Sequence, residues 1–415
     1  MTQAVILAAG ESSRFWPLSE GKHKSLNNIM GKPLIQHTID SIKSAGIKDI
    51  IIIQGPGREI EKVVKDPDVR FVVQKEPKGM GDALSQAREL LKRQFFVLGA
   101  HHVDASEFLT PMMDTSKKNG AALTLLGRET DTPWIYGVLN LKNNFAKGIV
   151  EKPERGKEPS NIKAVSIYLL HPEFFDYLDM VPQHHYNYEE ALDLYMKKND
   201  VPVFVTDKDT VSLKYPWHML DVVKRLMKNM SPFVADSADI HPSVEINGNV
   251  YIGENTRIFR GATINGPCYI GNNVLIGNNT LIRDYTNIED DVMIGMGAEV
   301  TRTIIQRGTH THSGFFGDSI IGEDCRIGAG TITADVRIDR GIINATVKGK
   351  KVETGRKSLG VIVGNNTRTG ISVRFMPGVL VGSNCTIGPN TVVMENLESN
   401  TLLYTKFQEV KKKKK

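Results

Sequence analysis

Cysteine is scarce in this chain: Cys268, Cys325 and Cys385 are the only three in 415 residues, and no two stand in a Cys-x-x-Cys spacing. That excludes a disulfide framework and a cysteine-rich zinc module, and it suits a reducing compartment. Long apolar runs are absent too. No stretch reaches the roughly 18 consecutive apolar residues of a membrane helix, and the N-terminus enters a strand-like run, Ala4-Val5-Ile6-Leu7, without a basic and apolar leader before it. A cytoplasmic protein with no membrane contact is expected. Charge of one sign is also missing from the body of the chain. The formal +5 vanishes once Lys411–Lys415 are set aside, leaving 47 basic against 47 acidic residues. Nothing in that balance calls for nucleic acid, and the lysine run reads either as a solvated, disordered tail or as an electrostatic docking arm.

What is present falls into two patterns. With 40% hydrophobic and 24% charged residues the chain can bury more than one ordinary core. Residues 1–230 alternate short apolar runs with helix-period segments, the pattern of βαβ units. Val5–Ala9, Asp49–Gln54, Phe71–Gln74 and Phe95–Ala100 read as strands, Pro33–Ala45 as an amphipathic helix stopped by Gly46, and Asp82–Lys92 as another helix. This predicts an α/β, Rossmann-like domain with a mostly parallel sheet, whose ligands gather at the carboxyl ends of strands, after Leu7, Gln74 and Leu98.

From 231 to 405 the period changes to six. Ile240, Ile246, Ile252, Ile258, Ile264, Ile270, Ile276, Ile282, Ile288, Ile294 and Val300 stand six apart, and Ile321, Ile327, Val381, Ile387 and Val393 keep the spacing. Each six-residue unit reads as one flat side of a parallel β-helix, its aliphatic residue stacked inside and its glycines and asparagines at the corners. Ala334–Gly360 breaks the period and reads as a projecting basic loop. The free faces of such a coil favour side-by-side oligomers. The last segment, 406–415, is expected to be a basic tail.

The chemistry sits first in Leu7-Ala8-Ala9-Gly10-Glu11-Ser12-Ser13-Arg14-Phe15-Trp16-Pro17-Leu18, followed by Lys24 and Gly31-Lys32-Pro33-Leu34-Ile35. Small residues at a strand end let main-chain amides approach phosphates, and Arg14 and Lys24 can neutralise them. The whole run resembles the signature of sugar-1-phosphate nucleotidyltransferases. That resemblance covers most of residues 1–230 and implies an NTP and a sugar 1-phosphate as substrates, giving an NDP-sugar and pyrophosphate. It makes Leu7, Ala8, Ala9, Gly10, Gln74 and Gly79 nucleotide-binding, Arg14 and Lys24 catalytic, and Gly137, Glu151 and Lys152 sugar-phosphate-binding.

The resemblance also implies Mg²⁺ held by two aspartates, and here His101 and Ser212 stand at those positions. Imidazole and hydroxyl are poor exchanges for two carboxylates, so metal ligation is expected to be lost unless Asp104 substitutes for them. The second half resembles the left-handed β-helix of archaeal bifunctional sugar-1-phosphate nucleotidyltransferase/acetyltransferases, through Thr311-His312-Ser313-Gly314, Ile327-Gly328-Ala329-Gly330 and Thr354-Gly355-Arg356-Lys357. That implies acetyl-CoA as a substrate, His312 as general base and a trimer. Phe315, Asp335, Gly341 and Asn344 depart from the family's sugar-phosphate set, with Arg337, Arg340 and Lys348 as nearby cations. The expected function is therefore NDP-sugar synthesis with a possible hexosamine-1-phosphate N-acetyltransferase activity; the alternative is an impaired homologue that binds nucleotide or NDP-sugar as a regulatory or structural subunit.

Overall fold

The computed structural model describes residues 2–413. The chain divides into two compact units, Met1–Glu11 with Pro33–Ser212, and Ser12–Lys32 with Leu213–Lys415. These units do not coincide with the segments 1–230 and 231–405 read from periodicity. The difference lies in segments 12–32 and 213–230, which group with the coil.

The first unit is built on a nine-stranded sheet. Its strands run Val69–Val73, Asp49–Gln54, Gln3–Ala8, Phe95–Gly99, Ile162–Leu170, Thr124–Glu129, Val201–Thr206, Phe145–Glu151 and Gly137–Lys142. The first four are mutually parallel; Ile162–Leu170 enters antiparallel between Phe95–Gly99 and Thr124–Glu129. Ile50–Ile53 and Phe95–Leu98 are fully buried, because strands covered on both faces need no polar alternation. The helix Leu34–Ser44 starts one residue after Pro33, whose fixed φ suits a helix entry, and Gly46 follows its end at φ +83°. The helix expected at Asp82–Lys92 is shorter. It spans Met80–Gln86, after which Arg88–Leu90 tightens into a 3₁₀ turn.

The second unit is a parallel β-helix of three sheets, with eight, nine and eight strands. The inner rows run Ile240, Ile258, Ile276, Ile294; Ile246, Ile264, Ile282, Val300; and Ile252, Ile270, Ile288. Three sides of six residues make one coil, and every aliphatic residue stacks on its counterpart in the next. Glycine and asparagine serve the corners differently. Asn255, Asn273, Asn279, Asn366 and Asn384 take the left-handed conformation. Gly277 does not, but a Cβ there would lie 2.5 Å from Met296 N, so it is needed for close passage between coils. The segment expected as a loop holds an antiparallel hairpin, Asn344–Val347 with Lys350–Glu353. Of the tail, Lys406–Lys413 are exposed and without helix or strand, while Lys414 and Lys415 lie outside the described residues.

Segment 12–32 is tied to this coil along its length. Glu20 accepts from Ser383 N at 3.0 Å and from the Ser399 hydroxyl, and Lys22 pairs with Glu323. Gln306 Nε2 donates to Asn28 O at 2.9 Å, Met30 N to Asn287 Oδ1 at 2.8 Å, and Gly31 N to Glu289 Oε2 at 3.1 Å. Gly31 has φ +81°, and a Cβ on it would fall 2.4 Å from Tyr269 Oη. Burial drives the Glu289 carboxyl up to about 7, against the pull of its hydrogen bonds from Asn287 and Gly31. The three cysteines are buried thiols, and burial raises Cys268 and Cys325 to about 12.

Candidate active site

In the first unit, strand Gln3–Ala8 ends where Ala9 and the exposed Gly10 begin, and a Cβ at Gly10 would meet nothing within 4 Å. That open space suits approach by a phosphate. Gln74 is buried, and its Nε2 donates to Gly79 O at 3.1 Å and to Asp82 Oδ2 at 2.7 Å. Asp82 also accepts from Gln183 Nε2 at 3.0 Å. Gly79, at φ +106°, faces His185 O, which an added Cβ would approach to 2.3 Å. Gln74 and Gly79 are thus brought together, with the glycine required by its own φ and by the backbone of His185.

The sugar-phosphate residues also meet. Gly137 and Glu151 are register partners at the ends of adjoining strands, and a Cβ at Gly137 would lie 2.8 Å from Glu151 Oε2. Lys152 follows at φ +46°, its N–H donating to Tyr136 O at 2.9 Å. Tyr136 in turn carries the Lys163 ammonium 4.2 Å above its ring. Burial first, then the neighbouring Arg128, lowers the Lys163 pKa to about 8.

The positions expected to hold a metal ion do not suit Mg²⁺. His101 lies against the His102 ring, centroids 4.4 Å apart, and Ser212 offers a single exposed hydroxyl. Asp104 does not replace the missing carboxylates. It is 3% exposed, its Oδ2 accepts from Val211 N at 3.1 Å, and its Oδ1 lies 3.7 Å from His102 Nδ1. Neither ring nitrogen of His102 makes a hydrogen bond. Among the described residues no three His, Cys, Asp or Glu side chains converge as metal ligands. A hard cation that prefers several oxygen ligands finds none of them assembled here.

Arg14, Lys24 and His312 belong to the second unit. Lys24 Nζ donates to Leu213 O at 2.8 Å. Burial, helped by Arg14, lowers its pKa to about 8. His312 is exposed in the turn between His310–Thr311 and Gly314–Gly317, and its N–H is bonded to Ile327 O at 3.1 Å. Asp335, at a position the resemblance gives to asparagine, lies against Asp318; burial and that neighbour raise its pKa. Arg302 bridges them, 2.7 Å from Asp318 Oδ2 and 3.6 Å from Asp335 Oδ2. Arg337 is paired with Asp339 instead of standing ready for a phosphate. Sequence reasoning missed Lys214, His218 and Arg356 as a group; Lys214 and His218 lie in the Lys-Tyr-Pro-Trp-His run, whose basic character was the available signal.

The family model for nucleotidyl transferases matches residues 3–222, and the bacterial transferase hexapeptide model matches 249–284 and 360–394. The bifunctional protein GlmU of Methanococcus vannielii is 34% identical, with 99% of each chain covered. The bifunctional sugar-1-phosphate nucleotidylyltransferase/acetyltransferase of Sulfurisphaera tokodaii is also 34% identical, over 94% of this chain and 97% of that one. Among solved structures, an apo UDP-glucose pyrophosphorylase is similar at 21% identity and a TM-score of 0.48, covering 55% of this chain and 99% of its own.

Proposed function

Because the chain belongs to the nucleotidyl transferase family, in the form joined to hexapeptide-repeat acetyltransferase coils, we propose that it makes an NDP-sugar from an NTP and a sugar 1-phosphate and acetylates a hexosamine 1-phosphate. In the first reaction a phosphate oxygen of the sugar 1-phosphate attacks the α-phosphorus in line, and pyrophosphate leaves. The amides after Leu7, with Ala8, Ala9 and Gly10, approach the nucleotide's phosphates, while Arg14 and Lys24 supply positive charge. Gln74 and Gly79 face the base. Glu151 receives sugar hydroxyls beside Gly137, and Lys152 holds the phosphate. Such catalysis is mostly orientation and charge stabilisation. The observation that carries this reading is Gly137 against Glu151, where a Cβ at residue 137 would fall 2.8 Å from the carboxylate Oε2 and push it from its place.

In the second reaction His312 takes a proton from the amine as its nitrogen attacks the acetyl carbonyl of acetyl-CoA, and the CoA thiol leaves. A homotrimer formed through the coil, in the cytoplasm, completes the proposal. No helix among the described residues is long and apolar enough to cross a membrane.

The test incubates the full chain with each NTP and a panel of hexose and hexosamine 1-phosphates, and measures pyrophosphate release. Release with at least one pair is expected, with Lys24→Ala lowering it by about 10²-fold. His312→Ala should lower acetyl transfer to glucosamine 1-phosphate by roughly 10²- to 10⁴-fold and leave pyrophosphate release unchanged. Silence across every pair overturns the first activity.

A further inference from the structure

The residues expected at the metal positions cannot hold Mg²⁺, yet a triphosphate brings several negative charges that something must offset. The second unit carries cations in segment 12–32, in the run that follows Ser212 and in the projecting hairpin segment. Lys24 donates to the carbonyl of Leu213, and the next residue, Lys214, donates its backbone N–H to His218 Nδ1 at 3.1 Å. Arg14 acts on Lys24. Arg356, from the strand-end of the projecting hairpin segment, pairs with Asp221 one turn along the same helix as His218.

The balance of charge in this group is positive. Of the charged groups acting on His218, Asp221 is a carboxylate, whereas Arg356, Lys214 and Lys24 are cations. Burial foremost, then those cations against the opposing pull of Asp221, brings the His218 pKa down to about 4, so the ring is neutral at pH 7. Its Nδ1 accepts from Lys214 N, which leaves the proton on Nε2 as a donor. Lys24 is half-buried, and its ammonium donates to a neutral carbonyl. A cation partly removed from water beside another cation is costly to hold charged, and an anion nearby lowers that cost.

We propose that Arg14, Lys24, Lys214 and Arg356, with the Nε2–H of His218, form a polyphosphate site that binds the nucleotide's phosphates without a divalent metal ion. This rests on the nucleotidyl-transfer reading for the identity of the ligand. The site itself requires only phosphate chemistry. Guanidinium groups present paired donors to phosphate oxygens, and the two ammonium groups act as point charges.

Calorimetry on the full chain separates the two claims, using UTP and inorganic tripolyphosphate, each in excess EDTA and again with Mg²⁺. Both ligands are expected to bind in EDTA, with Mg²⁺ changing either affinity by less than about threefold. Lys214→Ala, an exposed side chain whose removal leaves the core intact, should weaken both by about tenfold or more. Arg356→Lys keeps the charge and the Asp221 pairing but loses the planar fork, and should weaken them by less. Binding that appears only with Mg²⁺ overturns the inference and spares the nucleotidyl-transfer reading, as does tripolyphosphate binding indifferent to Lys214→Ala. Tripolyphosphate binding in EDTA with no UTP binding under any condition upholds the site and removes the nucleotide reading. Absence of both overturns both.

Discussion

The candidate sites of the two units are built differently, although both units bury polar side chains against backbone, as Asn287 and Gln306 do in the second. In the first, polar side chains turn inward and fasten backbone: Gln74 holds Gly79, and the buried Asp104 holds Val211. In the second, charge collects at the edges of a regular apolar stack, where Lys24, Lys214 and Arg356 lie in segments outside the inner rows. The difference shows which features of a site tolerate replacement. Gly79 sits at a positive φ where an added Cβ would collide with the backbone of His185, so the backbone itself demands it, whereas Gly137 gives room to the Glu151 side chain. A metal-binding carboxylate meets no such steric demand, because its role is to hold a cation and not to fit a close backbone approach.

The inside and outside of the coil offer the largest test of that contrast. Ile294 is fully buried, stacked between Ile276 and Thr311, whereas Ile332 is 42% exposed on an outer row. Ile294→Ala should cost about 2–5 kcal/mol in denaturant unfolding, because neighbouring coils cannot close the void. Ile332→Ala should stay within roughly 0.5 kcal/mol. Equal losses at both positions would mean that the inner rows do not carry the stability of the coil.

The next effect belongs to the junction of segment 12–32 with the coil. Glu289 has its pKa raised from 4.5 to about 7, chiefly by burial, with Asp290 adding to the shift. A raised folded pKa means the native state binds the proton more tightly than the unfolded state. The stabilisation is complete below about pH 4.5 and is lost as pH rises through 7, on the order of 3 kcal/mol over that window. Glu289→Gln should flatten this part of the stability-versus-pH curve. A slope unchanged by the substitution would assign the effect to another group.

Repetition made the coil legible. Aliphatic residues six apart can stack only if three sides make a turn, and the rows Ile240-Ile258-Ile276-Ile294 follow that rule. After Val300 the spacing is less regular: Phe316 follows it after sixteen residues instead of eighteen, so the series weakens there. The strand Asp49–Gln54 was readable residue for residue, and so were the motif glycines. The place of segment 12–32 was not. Its ties to Asn287, Glu289 and Gln306 span more than 250 residues and use backbone N–H and C=O groups, which have no sequence signature. Asp104 was ambiguous for the same reason: only the fold reveals that its partner is the N–H of Val211, 107 residues away. The resemblance alone pointed to His101 and Ser212 at the positions expected of aspartates, but the cations of Lys214 and Arg356 could not be joined to Lys24 without the coil.

The smallest effect reverses the replacement itself. If charge at residues 101 and 212 is what separates this first unit from a metal-binding one, then returning both carboxylates should restore affinity for Mg²⁺. A single His101→Asp supplies one carboxylate and leaves a hydroxyl opposite it in the motif, which falls short of the oxygen-rich set Mg²⁺ prefers. Asp104 cannot make up the difference, since moving its Oδ2 would strand Val211 N in a buried environment. The double variant His101→Asp/Ser212→Asp is therefore expected to bind Mg²⁺ about tenfold more tightly than either single variant, in calorimetry without nucleotide. Equal, weak binding by all three would show that the backbone at the two positions has also moved away from metal geometry, and that the loss of carboxylates came with a rearranged strand end.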